Sequence, residues 1–357
     1  MPKKANRKAL LDLAIRRQVL LERIKAGQFK DLNKVIGEVQ KLILAKVGAL
    51  TQDLAGENRR FLNKWLGQID SAILKEYKGG LKLFNLQLEE VAGVFAAMEA
   101  GDVASSITGT VKLKSPTPKQ AFNLAKVQAM SHSGETLDQF VESLAGNETK
   151  RVVSMFRRGF YQGRTNQDLV RELVGTKANR FQDGLLSVSR RNAKTVVQTS
   201  IQHAASVGRM ATWKANDELF TGYQWVSTLD SITSNKCKSL DGQEFKIDEG
   251  PLPPIHPNCR STTIGVLSPE FDVLSEGRTR SAEFGPVGGK QGYYDWLKTQ
   301  DAGFQEQALG PARSKLFREG GLSAKKFRDL QLDKNFDPLT LAEMRKLEPE
   351  AFKLAGL

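Results

Sequence analysis

The sequence predicts an α+β protein: a largely helical N-terminal region, then a mixed domain in which long helices accompany a small antiparallel β unit closed by a proline-rich loop. Three observations carry this. Apolar residues recur at helical spacing through the first hundred positions, and a small, polar, proline-bearing stretch follows them. The segment PLPPIHPNCRSTTI then gathers four of the twelve prolines with one of three His and one of two Cys.

The first stripe is Val35, Ile36, Val39, Leu42, Ile43, Val47 and Leu50; Leu62, Trp65, Leu66, Ile69 and Ile73 make a second, and Leu83, Phe84, Leu88, Val91, Val94, Phe95 and Met98 a third. This spacing puts one apolar face on each helix, with breaks expected at Gly79-Gly80 and between Gly101 and Pro118. The chain therefore divides into a basic helical region 1–104, a linker 105–120, a mixed domain 121–345 and a short tail 346–357. Within the mixed domain, helical patterns run through Leu137–Leu144, Val152–Phe156 and Leu169–Val174, then over roughly Leu185–Leu219. Gly159 and Gly163 read as a helix end and turn before Thr165. Leu309-Gly310-Pro311 and Gly320-Gly321 mark helix stops near the end.

The β unit is assigned to about 222–267. Trp225 and Val226 read as a strand, Asp241-Gly242 as a hairpin turn, and Phe245 with Ile247 as the returning strand. Pro251, Pro253, Pro254 and Pro257 each fix φ and remove a backbone donor, so the segment around His256 and Cys259 is a stiff extended loop.

Cys237, His256 and Cys259 are the candidate metal ligands. Zinc takes four N/S ligands, or three plus water, so the set is incomplete unless Asp230 or Asp241 joins it. The plainer reading makes the cysteines small buried apolar residues and gives His256 a carbonyl partner. A Cys237–Cys259 disulfide is the third option. No catalytic constellation emerges: Cys259 and His256 on an extended segment can point to different sides, and His132 and His203 lie in unrelated helical contexts.

Net charge is +13. The first thirty residues hold nine Lys or Arg against Asp12 and Glu22 alone. Lys3, Lys4, Arg7, Lys8, Arg16, Arg17, Arg23 and Lys25 are accordingly the candidate DNA-binding residues, making sequence-independent phosphate contacts. Charges interrupt every apolar run, so neither a signal peptide nor a membrane span is expected.

The order Trp225, Asp230, Cys237, Leu240-Asp241-Gly242 and Pro253-Pro254-Ile255-His256-Pro257-Asn258-Cys259-Arg260 resembles the signature of the phage Mu F-like minor head (head morphogenesis) family, and the tail from Tyr293 to Met344 is similar to that family as well. Ser234 and Ser261 stand where the family tends to carry two further cysteines. Gln198-Thr199-Ser200 stands where it carries Arg-Thr-Glu. The resemblance implies a structural, non-enzymatic protein of the virion, inside the head at the portal vertex and assembled in the host cytoplasm. It also implies work in head assembly and in genome packaging or ejection. The partners implied are the portal protein, scaffold or major capsid protein, and double-stranded DNA. No cofactor is expected; the alternative is a zinc-dependent nucleic-acid binder or enzyme using Cys237, His256 and Cys259.

Overall fold

The computed structural model describes residues 5–107, 112–269, 272–273, 279–288 and 291–357. After a two-residue strand, β1 (Ala5–Asn6), two long helices set the frame: α1 (Arg7–Gly48) and α2 (Arg59–Ser106). A short 3-10 turn, Leu54–Gly56, joins them, and Asn58 caps α2 by accepting from Phe61 N. The expected break at Gly79-Gly80 is absent, and α2 runs straight through both glycines. A Cβ on Gly80 would lie 2.5 Å from Val35 Cγ2, so this glycine lets α1 and α2 approach rather than ending a helix.

Then come α3 (Pro118–Val127), α4 (Leu137–Tyr161), α5 (Asn166–Val174) and α6 (Leu185–Ala215). Thr117 with Gln120 and Thr136 with Gln139 form capping boxes that fix where α3 and α4 begin. One continuous core takes Ile36 and Ile43 from α1, Leu66, Phe84 and Phe95 from α2, Phe156 from α4, and Ile201 and Trp213 from α6. The 105–120 segment therefore does not separate one core from another: the first two helices pack directly on α6. A Cβ on Gly208 would sit 2.3 Å from Ala92 O, which shows how closely the α2 and α6 backbones meet.

The β unit has three strands in the order β3-β2-β4: β2 (Phe220–Val226), β3 (Glu244–Phe245) and β4 (Thr262–Leu267), both neighbours running antiparallel to β2. Tyr223 faces Phe245 across one ladder and Gly265 across the other. The returning strand ends at Phe245, short of Ile247. A one-turn helix, α7 (Asn235–Leu240), was not anticipated, and nor was β4, whose six residues are all buried. The tip of α1 closes over the sheet, where Leu11 and Ala14 meet Val226 and Ile264.

Strand β5 (Asp272–Val273) pairs in parallel with β1, and β6 (Thr279–Ala282) with β7 (Gly285–Gly288) makes a hairpin. Six short helices finish the chain: α8 (Tyr293–Leu297), α9 (Ala302–Leu309), α10 (Pro311–Glu319), α11 (Ala324–Asp329), α12 (Leu341–Leu347) and α13 (Pro349–Leu354). As read from sequence, Gly310 divides α9 from α10. These helices bury Tyr294, Trp296, Phe317, Phe327 and Met344 in a second core. Phe352 joins it, so residues 346–357 belong to that core rather than forming a loose tail. No helix among the described residues is long and apolar enough to cross a membrane.

Candidate functional site

The proline loop leaves β3, passes a cis Pro253–Pro254 bond and returns into β4. Opposite it stands α7, whose N-cap Ser234 accepts from Cys237 N at 3.3 Å. That short helix turns Cys237 inward, and the loop brings the other two candidates to it. Cys237 Sγ lies 3.2 Å from His256 Nε2 and 3.7 Å from Cys259 Sγ. All three ligand atoms fall within 4.8 Å of one another, so the extended segment does not turn His256 and Cys259 to different sides. Both cysteines are free and buried, packed with Trp225, Leu240 and Ile255. A disulfide is not formed.

The electrostatics of the trio divide its members. Burial pushes the Cys237 thiol well above its usual value, and its hydrogen bond to Cys259 pushes the same way. Burial would raise Cys259 too, but hydrogen bonds from Cys237 and His256 outweigh it and hold this thiol well below its usual value. Burial works against the charged form of His256, while its contact with Cys259 more than offsets this and raises its pKa. His256 Nδ1 sits 2.9 Å from Pro257 O, which leaves Nε2 toward sulfur.

Two thiolates and an imidazole nitrogen suit a soft divalent ion such as zinc. A tetrahedron with Zn–S bonds of about 2.3 Å has an S···S edge of about 3.8 Å, which matches the sulfur separation here. The fourth position falls neither to Asp230 nor to Asp241, since both are taken. Asp230 accepts from Arg260 Nη1 and Nη2 at 2.7 and 3.1 Å. Asp241 accepts from both terminal nitrogens of Arg280, and also from Ser227 N and Tyr293 N at 2.7 and 2.8 Å. Ser261 lies at the same centre, with its Oγ 3.5 Å from Ser227 Oγ, and Ser227 in turn donates to Cys237 O at 2.6 Å. Any fourth ligand is thus water or a serine hydroxyl.

The remaining signature residues are structural. Trp225 is fully buried and donates through Nε1 to Ser227 Oγ at 2.9 Å. Gly242, at φ +77, turns the chain so that its N–H reaches Trp225 O. His132 lies in a turn rather than a helix, beside Ser131, which accepts from Leu252 N at the root of the proline loop.

The candidate DNA-binding residues separate. Lys3, Lys4 and the side chains of Arg7 and Lys8 lie outside the described residues. Arg16 and Arg23 are exposed. Arg17 instead makes a bidentate pair with Asp102 of α2, at 2.9 and 3.2 Å. Lys25 is buried, donating to Gln202 Oε1 and Glu22 Oε1, both at 2.7 Å, and lying 3.4 Å from Cys259 O. Gln202 also donates to Ser261 O at 3.0 Å, so Lys25 fastens α1 to the signature loop and is removed from any phosphate. The run of basic residues at the start of the chain concealed this, because spacing alone does not say which cation faces inward.

Sequence reading also missed buried cations that join distant elements, among them Arg209, which ties α6 to β4 through Thr263 O at 3.1 Å. Arg280 locks the β6–β7 hairpin to Asp241. Lys238 donates to Ala308 O and lies 5.4 Å over the Tyr293 ring, tying α7 to the second core; burial brings its pKa down to about 8.

The helical body is sealed by a proline-rich loop carrying His256 and Cys259 opposite Cys237, and Arg260 and Arg280 are paired with Asp230 and Asp241. Residues 150–264 match the family described as phage Mu protein F like protein. The match runs from within α4 to β4 and takes in the stretch from Trp225 to Arg260, so this part of the chain is similar to a phage head-morphogenesis family. No curated protein and no solved structure matches it.

Proposed function

We propose that the chain is a minor structural component of a tailed-phage head, seated inside the capsid at the portal vertex. There it serves head assembly and genome packaging or ejection, with sequence-independent contact to double-stranded DNA. One observation carries this reading: the family match coincides with the segment where α6, the β unit and the proline loop meet α1. The matched stretch is therefore one that α1 clamps from outside it through Lys25 and Gln202, which suits a rigid assembly component. The charge of +13 supports the DNA contact. Co-expression with the portal protein of the same phage, followed by affinity purification and mass spectrometry of procapsids, tests the placement. Portal-bound protein present at low copy is expected, and its absence from both would sink the reading.

A second reading, favoured by the convergence of Cys237, His256 and Cys259, is that the head protein carries a zinc ion at this loop. Bound there, the metal supplies a cross-link between α7 and the loop. The protein's own residues already place the ligands.

A further inference from the structure

We infer that the surface formed by the end of α4, by α5 and by the Gly175–Gly184 connection is the face on which the chain holds the phosphodiester backbone of DNA. This rests on the DNA contact proposed above and gives it a place. Between residues 157 and 194 the sequence has nine Lys or Arg and three acids. Each acid is engaged: Glu172 pairs with both Arg158 and Arg164, Asp168 accepts from Thr165 Oγ1 at 2.8 Å, and Asp183 is consumed within the connection. Arg157, Lys177, Arg180 and Lys194 are exposed and have no carboxylate partner among the described residues.

The connection is built rather than loose. Asp183 accepts from Thr176 N, Thr176 Oγ1 and Asn179 Nδ2 at 2.7 to 2.8 Å, and these bonds hold its carboxyl down to about 2. Phe181 N closes back onto Thr176 O at 2.8 Å. Arg180 and Phe181 are both held in the left-handed region, at φ 51° and 59°, where a side chain with a Cβ is disfavoured. Phe181, next to Arg180 in the chain, is left 49% exposed. A second exposed aromatic, Tyr161, carries Arg59 over its ring at 5.7 Å. Folding gains nothing from holding an apolar ring in water in a segment whose Lys177 and Arg180 have no carboxylate partner among the described residues. Cations for phosphates, interleaved with rings for sugar and base edges, are what DNA contact uses.

The test is binding of the full chain to a short random-sequence DNA duplex, followed by fluorescence anisotropy across about 50 to 200 mM salt. Lys177→Gln with Arg180→Gln removes charge while leaving the Asp183 hydrogen bonds of the connection in place. It should lower the log–log salt slope by about two and weaken binding roughly tenfold at the lower salt. Phe181→Ser should weaken binding with the slope unchanged, and circular dichroism checks that each variant is folded. Wild-type slope and affinity in the double variant, with the loss appearing instead in Arg16→Gln with Arg23→Gln, overturns this placement and leaves the DNA contact standing. If the wild-type chain does not bind duplex at all, both fall. Unchanged DNA binding with lost capture of an acidic capsid protein also overturns it, in favour of a protein partner.

Discussion

Arg280 clasps Asp241 through both carboxylate oxygens, at 2.8 and 2.9 Å, with the two side chains 6% and 0% exposed. A buried charge left without its partner is costly, so Asp241→Ala should destabilise the fold by about 3–5 kcal/mol. Asp230→Ala, which breaks the more open pair with Arg260, should cost about 1 kcal/mol. Urea denaturation of the two variants decides this, and equal losses would refute the claim that burial sets the difference.

His203 donates from α6 to Ala125 O at 2.9 Å, and burial holds its pKa down from 6.5 to about 4. Between these values the unfolded chain takes up a proton that the folded chain refuses. Its contribution is therefore complete above about pH 6.5 and falls away as pH drops toward 4, by about 3 kcal/mol in all. Urea midpoints measured at about pH 7 and about pH 4.5 should draw apart in the wild type and draw closer in His203→Gln.

Gly208→Ala should destabilise by about 1–3 kcal/mol, because the added methyl meets the Ala92 carbonyl of α2, which is backbone and does not yield. Gly67 also lies in a helix but has nothing within 4 Å of the position a Cβ would take, so Gly67→Ala should stabilise by up to about 1 kcal/mol. Opposite signs in thermal melting are the expected result. Two destabilised proteins would mean that the helix contact is not the cause.

With zinc added, the wild-type chain should bind one ion and melt at higher temperature, while Cys237→Ser and His256→Ala should do neither. Elemental analysis after dialysis reads the stoichiometry directly. A metal-free wild type with an unmoved melting curve would leave the trio as a packed, hydrogen-bonded cluster.

The helices and the proline loop were legible because their signals are local. Periodicity located the helices, and four prolines fixed an extended backbone. Where local signals misled, a tertiary contact had taken over: Gly80 looked like a breaker and is a contact point with Val35, while Lys25 looked like an arm residue and is a buried clamp. Strand β4 went unread because Ser261-Thr262-Thr263-Ile264 sat in the shadow of the proline loop, although its β-branched run was the available sign. Residue scarcity singled out Cys237, His256 and Cys259, and the fold brings these three side chains together. That they converge depends on the one-turn helix α7, too short to leave a periodic trace.

Lys25 lies in α1, yet its partners Gln202 and Cys259 lie 177 and 234 residues further on. The stripe of α1 has a partner near in sequence, α2, whereas the end of α1 that carries Lys25 is completed only by the distant α6 and signature loop. A chain lacking the loop therefore leaves Lys25 facing no Cys259 carbonyl and this end of α1 incompletely covered.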